Sequence, residues 1–78
     1  MVLGGRIRAA RLRLVASDGR IVSQEALAHL AGVHRTYIGQ LERGEVNVAL
    51  DNLLRVADAL ALDPSALVQG LRPSDIPT

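Results

Sequence analysis

The sequence predicts an all-α domain of five helices, and three observations support this fold class. Apolar residues recur at spacings of three and four along most of the chain, which is the period of an amphipathic helix. Gly and Asp-Pro or Asp-Gly pairs interrupt these stretches where helices typically begin and end. No stretch alternates as a half-buried strand does. The 78 residues suffice for one domain, and we expect a core at about 5–70 and an extended or frayed tail at 71–78.

The first helix is predicted at about residues 5–17. Its apolar face consists of Leu3, Ile7, Ala10 and Leu14. Asp18-Gly19 is expected to end it, since glycine readily adopts the left-handed conformation found at helix ends. The stretch Val15–Ile21 is then either an extension of this helix or a loop. Ser23 is a good N-cap, so the second helix is predicted from Gln24 to Leu30.

A tight turn, Ala31-Gly32-Val33, separates the second helix from a third that begins at His34 or Arg35 and ends at Arg43. His34 stands where Ser, Thr or Asp more often caps a helix, so we expect weaker capping there. Ile38, Leu41 and the stem of Glu42 form the predicted inward face. The opposite face consists of Thr36, Gly39, Gln40 and Arg43.

A fourth amphipathic helix is predicted after Ala49, which replaces a better capping residue. Its apolar positions are Leu50, Leu53, Leu54, Ala57, Leu60 and Ala61. Asp63-Pro64 combines an N-cap with proline at the first helical position, so a short fifth helix is expected at Ser65–Gln69, before Gly70.

Composition excludes several functional classes. The chain has no cysteine and its only aromatic residue is Tyr37, so we expect neither disulfides nor thiolate metal sites. No apolar run is long enough to span a bilayer, and arginines interrupt the N-terminus, so a cytoplasmic protein without a membrane partner is expected. His29 and His34 do not share a helical face, and no nucleophile–base arrangement stands out, so we expect no metal, no cofactor, no small-molecule substrate and no enzymatic activity.

Charge is distributed unevenly along the chain. Residues 1–43 carry a net charge of +4 and residues 44–78 carry −3, although the whole chain has only +1. All the basic residues are arginine, which binds phosphate and guanine through two parallel hydrogen bonds. This asymmetry is typical of a protein that presents one side to a polyanion.

The stretch Ser23–Gly44, SQEALAHLAGVHRTYIGQLERG, resembles the helix-turn-helix of the phage Cro and repressor-like (XRE-type) family. Within it, HRTYIGQLERG is similar to the controller proteins of restriction–modification systems. The resemblance covers about residues 5–70. It implies a lambda-repressor-like fold, with the helix-turn-helix at helices 2 and 3, and binding of double-stranded DNA.

The resemblance also implies roles for individual residues. The expected DNA contacts are Gln24, His34, Arg35, Thr36, Tyr37, Gln40, Arg43 and Asn47. Arg35 has the two donors that guanine accepts, and Gln40 has the donor and the acceptor that pair with adenine, whereas Gln24 at a helix N-terminus suits a phosphate. Tyr37 is expected either to pack in the core or to contact DNA through its hydroxyl. Arg11 and Glu42 correspond to a structural ion pair between helices 1 and 3.

These observations predict a transcriptional regulator that binds a symmetric operator as a homodimer. One recognition helix reads only about four base pairs, so two copies are needed for useful affinity. The expected interface consists of Leu62, Leu67, Val68 and Leu71. Two alternatives stay open at this point: an antitoxin with the same DNA-binding unit, and a protein-interaction module built on the same scaffold.

Overall fold

The computed structural model describes residues 2–76 and confirms the predicted all-α architecture. Five helices form in this part of the chain: α1 Val2–Arg13, α2 Gln24–Ala31, α3 Arg35–Glu42, α4 Leu50–Ala59 and α5 Pro64–Val68. The expected tail is not uniformly extended, because Pro73–Asp75 forms one turn of 3-10 helix. Pro77 and Thr78, also assigned to the tail, lie outside the described residues. None of the helices in residues 2–76 combines the length and hydropathy that crossing a bilayer requires.

The predicted boundaries of the first helix were wrong, because α1 begins and ends earlier than expected. After Arg13 the chain turns back, and Val15 and Ile21 form an isolated antiparallel bridge. Gly19, with φ of +83°, therefore belongs to this turn and does not cap α1. The return brings Val22 into the core, where it is only 3% exposed. Burial of Val22 decides where α1 ends. The spacing of apolar residues along α1 does not predict this helix end.

Helices α2 and α3 each have a side chain that caps the N-terminus. The Ser23 hydroxyl accepts a hydrogen bond from the Ala26 N–H at 3.0 Å, and Gly32 adopts φ of +73° after α2, a conformation that costs glycine little. The His34 Nδ1 accepts from the Thr36 N–H at 3.1 Å. The expectation of weak capping at His34 was therefore wrong, since its ring nitrogen replaces the usual oxygen.

The inward face of α4 differs from the predicted one. Leu53, Val56 and Ala57 are buried, as is Leu60 just after the helix. Leu50 and Leu54 are instead 71% and 47% exposed. The sequence offers apolar residues on more than half of this helix, and the position of the neighbouring helices decides which of them are covered.

Helix α5 begins as predicted at Asp63-Pro64. Asp63 Oδ1 accepts from the Ser65 N–H at 2.9 Å, and this backbone hydrogen bond holds the pKa of the Asp63 carboxyl below its ordinary value. At the other end, Arg6 Nη1 donates to the carbonyl oxygens of Leu67 and Gln69 at 3.1 and 2.6 Å. A cation from α1 thus satisfies the C-terminal carbonyls of α5, which sequence analysis did not anticipate.

The core lies where α2 packs against α3 and α4, with α1 and α5 closing its sides. Its fully buried side chains are Ile7, Leu27, Ile38, Val56 and Leu67. The core is aliphatic, and Tyr37 packs half-buried against its edge.

A buried ion pair joins α1 to α3. Arg11 Nε donates to Glu42 Oε2 at 2.8 Å and Arg11 Nη2 to Glu42 Oε1 at 3.0 Å. The third nitrogen, Nη1, donates to the carbonyl oxygen of Val22 at 3.0 Å. The two side chains are only 10% and 2% exposed. The pair expected from the sequence is thus present, and it also holds the segment that follows the turn.

Helices α1 and α3 approach closely at Gly4. A Cβ atom at this position would collide with the carbonyl oxygen of Leu41 and would lie 2.6 Å from that of Glu42. Backbone atoms in a helix cannot move aside as a side chain can. Gly4 therefore sets the spacing at which Arg11 reaches Glu42.

We expect Gly4→Ala to lower the free energy of unfolding by about 2 kcal/mol or more, because α1 must move away from α3. Gly5→Ala is the matched control, since a Cβ there meets nothing within 4 Å. It should raise stability by up to about 1 kcal/mol through helix propensity. Urea denaturation of both variants measures the difference, and equal effects would contradict the close-approach role of Gly4.

We expect Glu42→Ala to lower the free energy of unfolding by about 3 to 5 kcal/mol, because Arg11 would stay buried without a counter-charge. Glu25→Ala, which removes an exposed carboxylate, should change it by less than about 0.5 kcal/mol. Thermal and urea unfolding followed by circular dichroism measure both. A loss for Glu42→Ala as small as that of the control would show that the buried pair does not stabilise the fold.

Candidate nucleic-acid interface

The outward face of α3 carries polar side chains, and its inward face is fixed by the core. Ile38, Leu41 and Glu42 are buried, whereas Arg35 and Thr36 are exposed. This division matches the predicted one. Gly39 lies on the outward face as predicted but is itself buried, because the side chains of Gln24 and Arg43 lie over it.

An open groove of about 570 Å³ lies between the start of α2 and the outer face of α3. Its lining residues are Arg11, Ser23, Gln24, Glu25, Arg35, Thr36, Gly39 and Arg43. Gly39 forms part of its floor: a Cβ there would lie 3.0 Å from Arg43 Nη1 and 3.5 Å from Gln24 Oε1. The missing side chain lets the Arg43 guanidinium and the Gln24 amide rest against the α3 backbone.

Gln24 is held in place by the buried ion pair. Its Nε2 donates to Glu42 Oε1 at 3.1 Å, so Glu42 receives hydrogen bonds from both Arg11 and Gln24. A primary amide has two N–H donors and one carbonyl acceptor, so Gln24 keeps polar groups for a ligand. Its location at the first turn of α2 also puts it beside the free N–H groups of that helix, which favour an anion.

Two arginines in the groove lie near glutamates. Arg43 Nε and Nη2 donate to the two carboxylate oxygens of Glu45 at 3.1 and 3.0 Å. This hydrogen-bonded contact raises the pKa of Arg43 and lowers that of the Glu45 carboxyl. Arg35 Nη1 lies 3.7 Å from Glu25 Oε2, which is too long for a hydrogen bond.

Of the expected DNA-contacting residues, the structure brings four together in the groove: Gln24, Arg35, Thr36 and Arg43. His34 borders an adjoining depression that also includes Arg35. Because its Nδ1 accepts the capping hydrogen bond, the neutral ring carries its proton on Nε2. The other three, Tyr37, Gln40 and Asn47, lie outside the groove: Tyr37 and Gln40 are half-buried on α3 and Asn47 is exposed beyond it.

Sequence analysis did not assign two groove residues, Ser23 and Glu25, to this surface. It also missed the contact of Glu45 with Arg43. An acidic residue two positions after Arg43 was the available signal for that contact. Gly39 was predicted on the outward face, but its cover by the Gln24 and Arg43 side chains was not; the only signal was a glycine inside a short helix, which sequence alone cannot separate from a neutral substitution.

The four residues expected at a dimer interface differ in their exposure. Leu67 is 1% exposed, so its assignment to a dimer surface was wrong: this side chain packs inside its own domain because α5 turns it toward α1 and α4. Leu62 and Leu71 are half-buried against the core. Val68 is 37% exposed and remains on the surface.

Comparison with known proteins places this geometry in a family. Residues 19–67 match the helix-turn-helix family HTH_3. The control protein C.BamHI of Bacillus amyloliquefaciens is 40% identical over 68 residues, covering 87% of this chain and 78% of that protein. The restriction–modification controller C.AhdI of Aeromonas hydrophila has a similar structure, with a TM-score of 0.70, 43% identity and coverage of 83% and 86% of the two chains.

A second similar structure is the P22 c2 repressor in complex with a synthetic operator. It superposes with a TM-score of 0.70 at 34% identity, over 91% of this chain and 98% of that one. The matched residues include the whole of α2, the turn and α3. The chain therefore belongs to the XRE-type helix-turn-helix family of DNA-binding proteins, to which the restriction–modification controller proteins also belong.

Proposed function

We propose that this protein is a transcriptional regulator of the restriction–modification controller type, which acts in the cytoplasm and binds a symmetric DNA operator as a homodimer. The single observation that carries the proposal is the groove in which Gln24, Arg35, Thr36 and Arg43 meet. Similarity to C.BamHI and C.AhdI supports the controller class.

Arg35 and Thr36 are the residues that read bases in this proposal. They occupy the first turn of α3 and are exposed, so the N-terminal end of this helix can enter the major groove. Arginine donates two hydrogen bonds to guanine O6 and N7, and a threonine methyl fits the methyl group of thymine. Gln40, one turn further along α3, can pair with adenine where its half-buried amide reaches the base edge.

The remaining residues position the protein on the DNA backbone. The Gln24 amide, the N–H groups at the start of α2 and the Arg43 guanidinium all suit phosphate oxygens. His34, Tyr37 and Asn47 offer further donors at the edges of the motif. Such contacts fix the register of α3 and carry no sequence information themselves.

A homodimer accounts for the exposed apolar residues of α4 and α5. Leu54 and Val68 are 47% and 37% exposed on two helices that contact each other. We propose that they form the interface together with the half-buried Leu62 and Leu71. A two-fold axis there would present two α3 helices to half-sites one helical turn apart, about 34 Å.

We expect selection from a randomised duplex pool to yield a two-fold symmetric consensus with wild-type protein, and Arg35→Ala to blur one position of each half-site. Loss of a bidentate base contact costs about 1 to 3 kcal/mol of discrimination. Selection at two salt concentrations should show affinity falling steeply with salt.

Arg8→Ala is the matched control, because Arg8 is an exposed arginine on α1 that does not line the groove. It should leave the consensus unchanged. If wild-type protein enriches no sequence, DNA recognition is contradicted and a protein-interaction module becomes the better interpretation. Co-purification of a toxin would indicate an antitoxin.

We expect Val68→Glu to shift the protein from dimer to monomer in sedimentation equilibrium, because it adds a charge to the proposed interface. Val15→Glu makes the same change at an exposed valine in the turn after α1, which is 62% exposed, and should leave the dimer intact. A wild-type protein that stays monomeric at tens of micromolar, with and without operator DNA, would contradict the homodimer.

A further inference from the structure

The Arg43–Glu45 contact lies at the edge of the groove and joins two residues only two positions apart. The carboxylate of Glu45 accepts from both Nε and Nη2 of Arg43, at 3.1 and 3.0 Å. Both side chains are about half exposed, at 56% and 52%. The contact therefore lies on the surface, where DNA would approach, and plays no part in the core.

A carboxylate and a phosphate compete for the same edge of a guanidinium. Each accepts two parallel hydrogen bonds from neighbouring N–H groups of arginine. In Arg43 the Nε and Nη2 edge is occupied by Glu45, and Nη1 rests near Gly39 on the groove floor. A phosphate gains two parallel bonds on the occupied edge only after Glu45 leaves it.

We propose that Glu45 is an internal competitor of DNA phosphate for Arg43, which lowers the affinity of the groove for DNA of any sequence. This inference rests on the proposed function, because it concerns how the same groove binds DNA. On binding, a phosphate oxygen pair replaces the Glu45 carboxylate on the guanidinium, and the freed carboxylate is hydrated. No covalent bond changes.

The hydrogen bonds from Arg43 lower the pKa of the Glu45 carboxyl, so the competing group is fully ionised at neutral pH. Beside phosphate, that carboxylate also repels the ligand directly. Both effects oppose DNA binding, and both disappear when Glu45 is neutral.

Glu25 and Arg35, which also line the groove, provide an internal comparison. Their closest atoms are 3.7 Å apart and both side chains are more exposed, at 67% for Arg35 and 75% for Glu25. Arg35 is thus held less firmly than Arg43. Glu45 therefore competes for Arg43, the arginine that we assign to phosphate. Arg35, which we assign to base reading, stays comparatively free.

The test uses Glu45→Gln and a fluorescent duplex of arbitrary sequence, titrated at low salt and followed by anisotropy. Because an exposed ion pair contributes little, we expect Glu45→Gln to bind about two- to fivefold more tightly than wild type. Asp58→Asn controls for net charge, since Asp58 is exposed on α4 and does not line the groove. In an Arg43→Gln background, Glu45→Gln should give a clearly smaller gain than it gives in wild type, because only the direct repulsion between Glu45 and phosphate is then removed.

Three results would overturn the competition. Equal effects of Glu45→Gln and Asp58→Asn would show that only net charge matters. A gain that is undiminished in the Arg43→Gln background would show that Arg43 is not the group for which Glu45 and phosphate compete. Weaker binding by Glu45→Gln would show that Glu45 orients Arg43 for DNA.

A measurement on the free protein separates this inference from the proposed function. The Arg43 Nε–H resonance is followed by NMR while inorganic phosphate is added. It should respond at lower phosphate concentration in Glu45→Gln than in wild type, and identical responses overturn the competition. Failure of the wild type to bind any duplex at low salt would instead contradict the proposed function.

Discussion

The buried contact between Arg11 and Glu42 is the constraint on which the rest of the structure depends. A guanidinium with so little access to water needs hydrogen-bond acceptors, and each of the three nitrogens of Arg11 donates to Glu42 or to the carbonyl oxygen of Val22. This condition fixes α1 against α3, which Gly4 allows by leaving room for the α3 backbone. It also holds the chain that returns after α1, because Arg11 Nη1 donates to the carbonyl oxygen of Val22.

The same carboxylate connects the core to the surface. Glu42 accepts from Gln24, which lines the groove with residues of α3, so the groove is joined to the buried contact between α1 and α3. The positive charge that the groove offers to a ligand depends on which arginines already contact other groups of the protein, as well as on the number of arginines. Arg6 caps α5 and Arg43 contacts Glu45, so the basic half of the sequence presents fewer free cations than its net charge suggests.

The sequence by itself determined the fold class, the helix-turn-helix and the residues at its outer face. Helix ends at Ser23, Gly32 and Asp63-Pro64 are set by interactions within a few residues of the chain. Such local interactions can be predicted from the sequence. The Arg11–Glu42 pair was accessible only through family resemblance, because no local rule joins residues that far apart along the chain.

Only the tertiary structure decided which apolar residues are buried and which arginines are free. Leu67 enters the core while Leu54 stays exposed, although both are leucines on amphipathic helices. Helix periodicity defines an apolar face to within about one residue, and the neighbouring helices select the part that is covered. Likewise, the contact of Arg43 with Glu45 depends on the local path of the backbone after α3, so charge counting along the sequence could not reveal it.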